Sequence, residues 1–136
     1  MKYSIEVHSG AKDEFVDITQ KVRDLVQPSG VKEGICVLTN PHTSAGLLVS
    51  ENCDASLNAD ILAGLERLVP SRSDYAHVGG NTPAHIKSCL VGTSETLQIE
   101  DRKLALGTWQ GIFLAEFDGP RTRRVVVRII ADPGAS

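Results

Sequence analysis

Long hydrophobic runs are missing from this 136-residue chain, and so is any excess of positive charge. No apolar stretch approaches the roughly 20 residues of a membrane-spanning helix. The start, Met1-Lys2-Tyr3-Ser4-Ile5-Glu6-Val7, lacks the pattern of a secretory signal. Lys and Arg number 14 against 17 Asp and Glu, a formal net charge of −3. No basic block with interleaved aromatics occurs, which argues against nucleic acid as the main partner. Cysteine is scarce and odd in number: Cys36, Cys53 and Cys89 have neither zinc-finger nor redox-motif spacing. Reduced thiols in a cytoplasmic protein are the simplest expectation. Cys36, in an apolar run, and Cys89, in a short apolar helix, read as small core residues. Cys53 lies beside Glu51 and Asp54, whose charge raises a thiol pKa and makes it a poor nucleophile.

What is present suits one soluble domain spanning residues 1–136, with no linker, low-complexity tract or repeat. Tyr3 to His8 alternates like a strand, and Phe15 to Ile18 is a second, shorter one. Asp17 or Thr19 then caps a helix to about Gln27, with Ile18, Val22, Leu25 and Val26 as its apolar face. Gly34 to Thr39 is continuously apolar, the mark of a central strand buried on both faces. Gly46 to Ser50 is another apolar strand. Asp54 or Ser56 caps a longer helix to about Val69, whose stripe of Leu57, Ile61 and Leu65 predicts core packing. Pro83 and Gly92 bracket a short helix, and Thr96 to Ile99 is a short strand ending in a turn at Asp101-Arg102-Lys103. Thr108 to Phe117 and Thr122 to Ile130 read as long antiparallel strands joined through Asp118-Gly119-Pro120-Arg121. Trp109, the one tryptophan, reads as core. The expected class is α+β, a mixed sheet with long C-terminal antiparallel strands and two to three helices.

Candidate chemistry gathers in polar segments at the ends of apolar strands. In His77-Val78-Gly79-Gly80-Asn81-Thr82-Pro83-Ala84-His85 two imidazoles flank a run of glycines that opens a helix, and a helix N-terminus can hold an anion. His42 lies in a third such segment, Asn40 to Ser44, whereas His8 ends a plain strand. His42, His77 and His85 together would make a zinc-like site, and adding Glu51 or Asp54 would suit a harder ion such as magnesium. The alternative is hydrogen-bonded imidazoles lining a cleft without metal. His42, His85 and Glu51 are the expected catalytic groups. Thr43, Ser44, Asn81, Gln110, Arg121 and Arg123 are the expected partners of a phosphorylated substrate, the arginines through their planar donor fork. Surface or inter-subunit ion pairs are the other reading of those arginines. No convincing nucleophilic triad is present.

Five segments occur in order: Pro41-His42-Thr43-Ser44-Ala45-Gly46, Glu51-Asn52-Cys53-Asp54, Asn81-Thr82-Pro83-Ala84-His85, Leu106-Gly107-Thr108-Trp109-Gln110 and Asp118-Gly119-Pro120-Arg121. With them the chain resembles the YjbQ-like family, often labelled secondary thiamine-phosphate synthase, over nearly its whole length. The resemblance implies a compact α+β subunit in a homotrimer. It also implies a weak activity that joins a thiazole phosphate to a pyrimidine pyrophosphate, releasing pyrophosphate. The chain departs from that pattern in having Asp101-Arg102-Lys103-Leu104, where the family commonly has glycine second, and in a shorter segment from His77 to Asn81. A metal-dependent phosphoester hydrolase and a non-catalytic binding protein for a phosphorylated metabolite would use the same residues.

Overall fold

The computed structural model describes residues 1–72 and 74–134. Its strands are β1 (Lys2–His8), β2 (Glu14–Asp17), β3 (Gly34–Thr39), β4 (Ala45–Glu51), β5 (Ser94–Glu100), β6 (Lys103–Leu104), β7 (Gln110–Glu116) and β8 (Thr122–Ala131). Its helices are α1 (Thr19–Val26), α2 (Ala55–Leu68) and α3 (Thr82–Val91). The α+β class stands, but the sheet is not mixed. There are two sheets, ordered β1-β8-β3-β5-β6 and β2-β7-β4, and every strand pairing among the described residues is antiparallel.

The helix ends follow local chemistry. The Asp17 carboxylate accepts from the Thr19 N–H at 2.9 Å, and that of Asp54 from the Ser56 N–H at 2.9 Å, so each satisfies an orphan donor of a first turn. Pro83 stands in the first turn of α3, and Gly92 closes it with φ +95°.

The main core lies between the two sheets. Val7, Cys36, Leu38, Val125 and Val127 of one sheet meet Leu47, Ile112 and Leu114 of the other, with Ile18, Val22 and Val26 closing one end. A second cluster on the far face of the smaller sheet joins Ala115 and Phe117 to Ala84 of α3 and to the half-buried Leu62 and Leu65 of α2. Both faces of β7 are therefore covered, and Gly111 to Glu116 is buried without a break. The strand buried on both faces is β7 rather than β3, in which buried and half-buried residues alternate.

Four other expectations are corrected. β7 and β8 do not pair; the chain from Phe117 to Arg121 is a corner that carries it from one sheet to the other. Helix α2 has no buried residue, because it lies on the outer layer. Trp109 precedes β7 and is 63% exposed, and Cys89 is exposed on α3.

Candidate functional site

The corner after β7 is tied down by a buried ion pair. Glu116 is fully buried and Arg123 is 5% exposed. Arg123 Nε donates to Glu116 Oε1 at 2.9 Å, and Ser9 Oγ donates to the same oxygen at 2.7 Å. The N–H groups of Phe117 and Asp118 reach Glu116 Oε2 at 3.1 Å each. Burial by itself pushes the Glu116 carboxyl up, but the bonds from Arg123, Ser9 and the backbone outweigh it, and the net shift is downward. Arg123 Nη2 also donates to Ser44 Oγ at 2.9 Å. Arg123 and Ser44 are thus tied into the buried corner. A side chain's depth in a strand is invisible to a reading that counts only charge.

The corner in turn positions the start of α3. Asn81 Nδ2 donates to Asp118 Oδ2 at 3.1 Å, and the Asn81 carbonyl accepts from the N–H groups of Ala84 and His85. Arg121 Nη2 reaches Asp118 Oδ2 at 3.0 Å and its Nε the Asp118 carbonyl at 2.7 Å. Arg121 therefore braces the turn, although its side chain stays half exposed. Helix α3 lies close on β4, with the Leu47 N–H donating to the Gly92 carbonyl at 3.0 Å. A Cβ at Gly46 would stand 2.7 Å from Val91 Cγ1 and 2.8 Å from the Gly92 carbonyl oxygen, so the close approach requires glycine.

His77 and His85 meet at the mouth of this helix, edge to face, with ring centroids 5.8 Å apart. His85 Nδ1 lies 2.8 Å from the Thr43 carbonyl. A carbonyl only accepts, so this nitrogen carries the proton and the neutral ring presents a bare Nε2. His77 Nδ1 accepts from the Gly79 N–H at 3.4 Å and lies 2.6 Å from Thr82 Oγ1. An amide N–H only donates, so the neutral ring presents Nε2–H. The two imidazoles are complementary, one offering a proton and the other a lone pair.

Two adjoining clefts open beside this pair and share Arg72, Gly80 and Pro83. The larger, about 590 Å³, adds Lys12, Asn81 and Asp118 over a floor of Ala84 and Phe117. The smaller, about 290 Å³, adds Tyr75, His77 and Thr82. Lys12, Arg72 and Asp118 were not expected from sequence. Arg72 is chelated by Asp74 in the segment just before the glycines, a local pairing that a count of cations across the loop could have signalled.

The remaining expected residues lie elsewhere. His42 Nε2 accepts from the Arg124 N–H at 2.9 Å, and burial, then the charges of Arg123 and Arg124, hold its pKa below the usual value. Its ring lines separate clefts, one beside Arg124 and one beside Cys89. With that nitrogen engaged, His42 does not join His77 and His85, and among the described residues no three His, Cys, Asp or Glu side chains are grouped to hold a metal. A three-imidazole ion does not fit this donor geometry, because His77 presents N–H and the His42 acceptor is occupied. Glu51 stands at the opposite end of β4 from the segment that holds His42, six residues or about 20 Å along the strand from Ala45. There its Oε1 accepts from Cys53 Sγ at 2.7 Å, a bond that raises the thiol's pKa. Gln110, opposite Glu51 in the β4–β7 ladder, accepts from the Gly107 N–H at 2.8 Å and closes its own turn.

Comparison with known proteins matches this architecture. A family profile described as "UPF0047 protein YjbQ-like" covers residues 3–132. UPF0047 protein MJ1081 of Methanocaldococcus jannaschii is 47% identical over 97% of this chain and 96% of its own length. UPF0047 protein YugU of Bacillus subtilis is 37% identical over 96% and 99%. A crystal structure of an uncharacterized conserved protein of the YjbQ/UPF0047 family from Clostridium acetobutylicum superposes with a TM-score of 0.89 at 48% identity, covering 96% of this chain and 99% of that one. A YbjQ-like protein of unknown function from Sulfolobus solfataricus gives 0.93 at 32% identity, covering 97% of each chain. From its first strand to its last, the chain belongs to the YjbQ-like UPF0047 family.

Proposed function

We propose that this chain is a small-molecule enzyme that joins two substrates with loss of pyrophosphate, a weak thiamine-phosphate-synthase-type transferase. The observation that carries the reading is the pair of clefts meeting at Arg72, Gly80 and Pro83, with His77 lining the smaller one and His85 edge to face against His77. The larger cleft, with Lys12 and Asn81 in its lining, suits a phosphorylated ring, and the smaller a second ring beside Tyr75. Lys12 and the N-terminal end of the α3 dipole supply positive potential for phosphate oxygens. In the reaction the thiazole nitrogen's lone pair forms the new bond to the pyrimidine methylene carbon, and the carbon–oxygen bond breaks with its pair leaving on pyrophosphate. His77 Nε2–H is placed to protonate that leaving group, and the two clefts hold the rings in contact. A divalent cation accompanying the substrate's pyrophosphate would supply further neutralisation of the leaving group's charge.

The complementary imidazoles favour a second reading, phosphoester hydrolysis, in which His85 Nε2 takes a proton from water and His77 gives one to the leaving oxygen. Incubation with thiazole phosphate and pyrimidine pyrophosphate separates the readings. Pyrophosphate release that needs both substrates supports the transferase, and orthophosphate release from simple esters supports the hydrolase. Saturable binding without turnover would make the chain a binding protein and overturn both.

Two wider features belong to this reading. Helix α2 lacks buried residues, and Leu68 and Trp109 are 74% and 63% exposed, apolar surface suited to burial between copies in a homotrimer. Three free thiols suit the reducing cytoplasm, and no described helix is long and apolar enough to cross a membrane.

A further inference from the structure

Far from the imidazoles in sequence, the turn between β5 and β6 holds two residues in a conformation that side chains disfavour. Asp101 has φ +50° and Arg102 φ +66°, and among the described residues they are the non-glycine positions with positive φ. Glycine occupies this region freely, whereas a Cβ crowds the neighbouring carbonyl. The turn is held from outside: the Arg102 N–H donates to the Lys32 carbonyl at 3.0 Å and the Asp101 N–H to Glu33 Oε1 at 3.2 Å. An arginine kept where glycine fits better points to work done by its side chain.

That side chain lines a cleft of about 350 Å³ together with Arg23 of α1 and Lys103 of β6. The one carboxylate in the lining is Asp24, which accepts from Gln20 Nε2 at 2.8 Å. None of the three cationic side chains makes a hydrogen bond or ion pair with a described protein group. The apolar wall is Val26 and Leu104, 1% and 9% exposed. Arg23 alone could be explained as a cation at a helix C-terminus. That explanation does not reach Arg102 or Lys103. Arg23, Arg102 and Lys103 are solvent-exposed around one cleft whose lining has Asp24 as its carboxylate, a local excess of positive charge that favours an anion in a chain of net charge −3.

We propose that this cleft is a second anion site that takes a small organic phosphate. Its phosphate lies on the Arg23 and Arg102 forks and Lys103, and its carbon portion lies against Val26 and Leu104. The site shares no lining residue with the His77–His85 clefts and stands independently of the transferase reading.

The test is a ¹H–¹⁵N NMR titration with inorganic phosphate and with phenyl phosphate, at constant ionic strength against a chloride control. Saturable shifts are expected at Gln27, Arg102 and Lys103, with phenyl phosphate the tighter ligand. Arg102→Gly relieves the backbone while removing one fork. It should therefore melt no earlier than the parent yet bind roughly tenfold more weakly, the loss of one charge-assisted contact. Arg102→Asn, which tolerates this φ, should match it. His85→Ala should bind at this site unchanged. Unaltered affinity in both Arg102 variants would overturn the proposal, as would shifts confined to Thr82–His85 or shifts that chloride reproduces.

Discussion

His85 donates its Nδ1 proton to the carbonyl of Thr43, across 2.8 Å and between segments 42 residues apart. The bond joins the polar end of the β3–β4 connection to the first turn of α3. It costs Thr43 nothing as a side chain, since the backbone oxygen does the work, and it leaves His85 Nε2 facing the solvent side of the site. Thr43 thus orients the His85 ring through its backbone oxygen.

The His85 ring makes this one bond at a half-buried position, so its removal should separate chemistry from stability. On the hydrolase reading, in which His85 is the base, His85→Ala is expected to lower turnover by about 10²–10⁴-fold with little change in melting temperature. Leu47, fully buried between the sheets, is the stability control. Its truncation to Ala should cost about 2–5 kcal/mol. Ile61 is a poorer control than its place in an apolar stripe suggests, because α2 leaves it only half buried. Thermal melts beside turnover assays check both arms, and a His85→Ala protein that melts early with full activity would make the histidine scaffold.

Acid should unfold this protein through identified carboxylates. Glu66 is held at about 2, against an ordinary 4.5, chiefly by the bond from Lys87 Nζ. Glu116 is shifted in the same direction. For a depressed carboxyl the stabilisation is complete above the unfolded pKa and disappears as pH falls through the folded one. The Glu66 contribution is therefore lost between about 4.5 and about 2. Melting temperature measured across that window should fall, and Glu66→Gln should flatten the fall. Arg123→Ala should do more harm at neutral pH, about 3–5 kcal/mol, because it strands a buried carboxylate.

Strands, caps and helix stops were legible because each depends on neighbours in sequence. Asp17, Asp54, Pro83 and Gly92 act within a turn of themselves, and the alternation of β1 or β8 is a property of one strand. Partnership was not legible. Asp118-Gly119-Pro120-Arg121 has hairpin composition, yet Glu116 and Arg123 pair through side chains at a corner between sheets, and nothing local marks the difference. At the site, Gly79, Gly80 and Pro83 forced a tight path, which is why His77 and His85 were readable as neighbours. His42 and Glu51 carry the same chemistry, but their positions follow from sheet registers set by residues far away.

Helix α3 approaches β4 only because Gly46 has no side chain. Gly46→Ala should push a methyl into the Gly92 carbonyl and Val91, with an overpacking cost of about 1–3 kcal/mol. Because α3 carries His85, turnover should drop along with melting temperature. Unchanged stability and activity in the Gly46→Ala variant would show that the helix can shift without consequence.

Assembly is checked by mass. Light scattering at micromolar concentration should report three times the 14.6 kDa subunit, with Trp109 fluorescence shifting to the red on dilution as the tryptophan meets water. A lone-subunit mass at that concentration would remove the homotrimer, and the exposed Leu68 and Trp109 would need another partner.

The sharpest test of the site concerns where two protons sit. Thr43 offers His85 only a carbonyl, and Gly79 offers His77 only an N–H, so the backbone dictates opposite tautomers. Long-range ¹H–¹⁵N spectra of the neutral imidazole rings distinguish the two forms directly. His85 should appear as Nδ1–H and His77 as Nε2–H. In a Thr82→Val protein the Gly79 contact remains, so His77 should keep its tautomer while losing its hydroxyl neighbour. Both rings found as Nε2–H would mean that His85 presents a proton instead of a lone pair, leaving no base at the mouth of α3. The hydrolase reading, which needs that base, would then be wrong, whereas the His77 proton used by the transferase reading would remain.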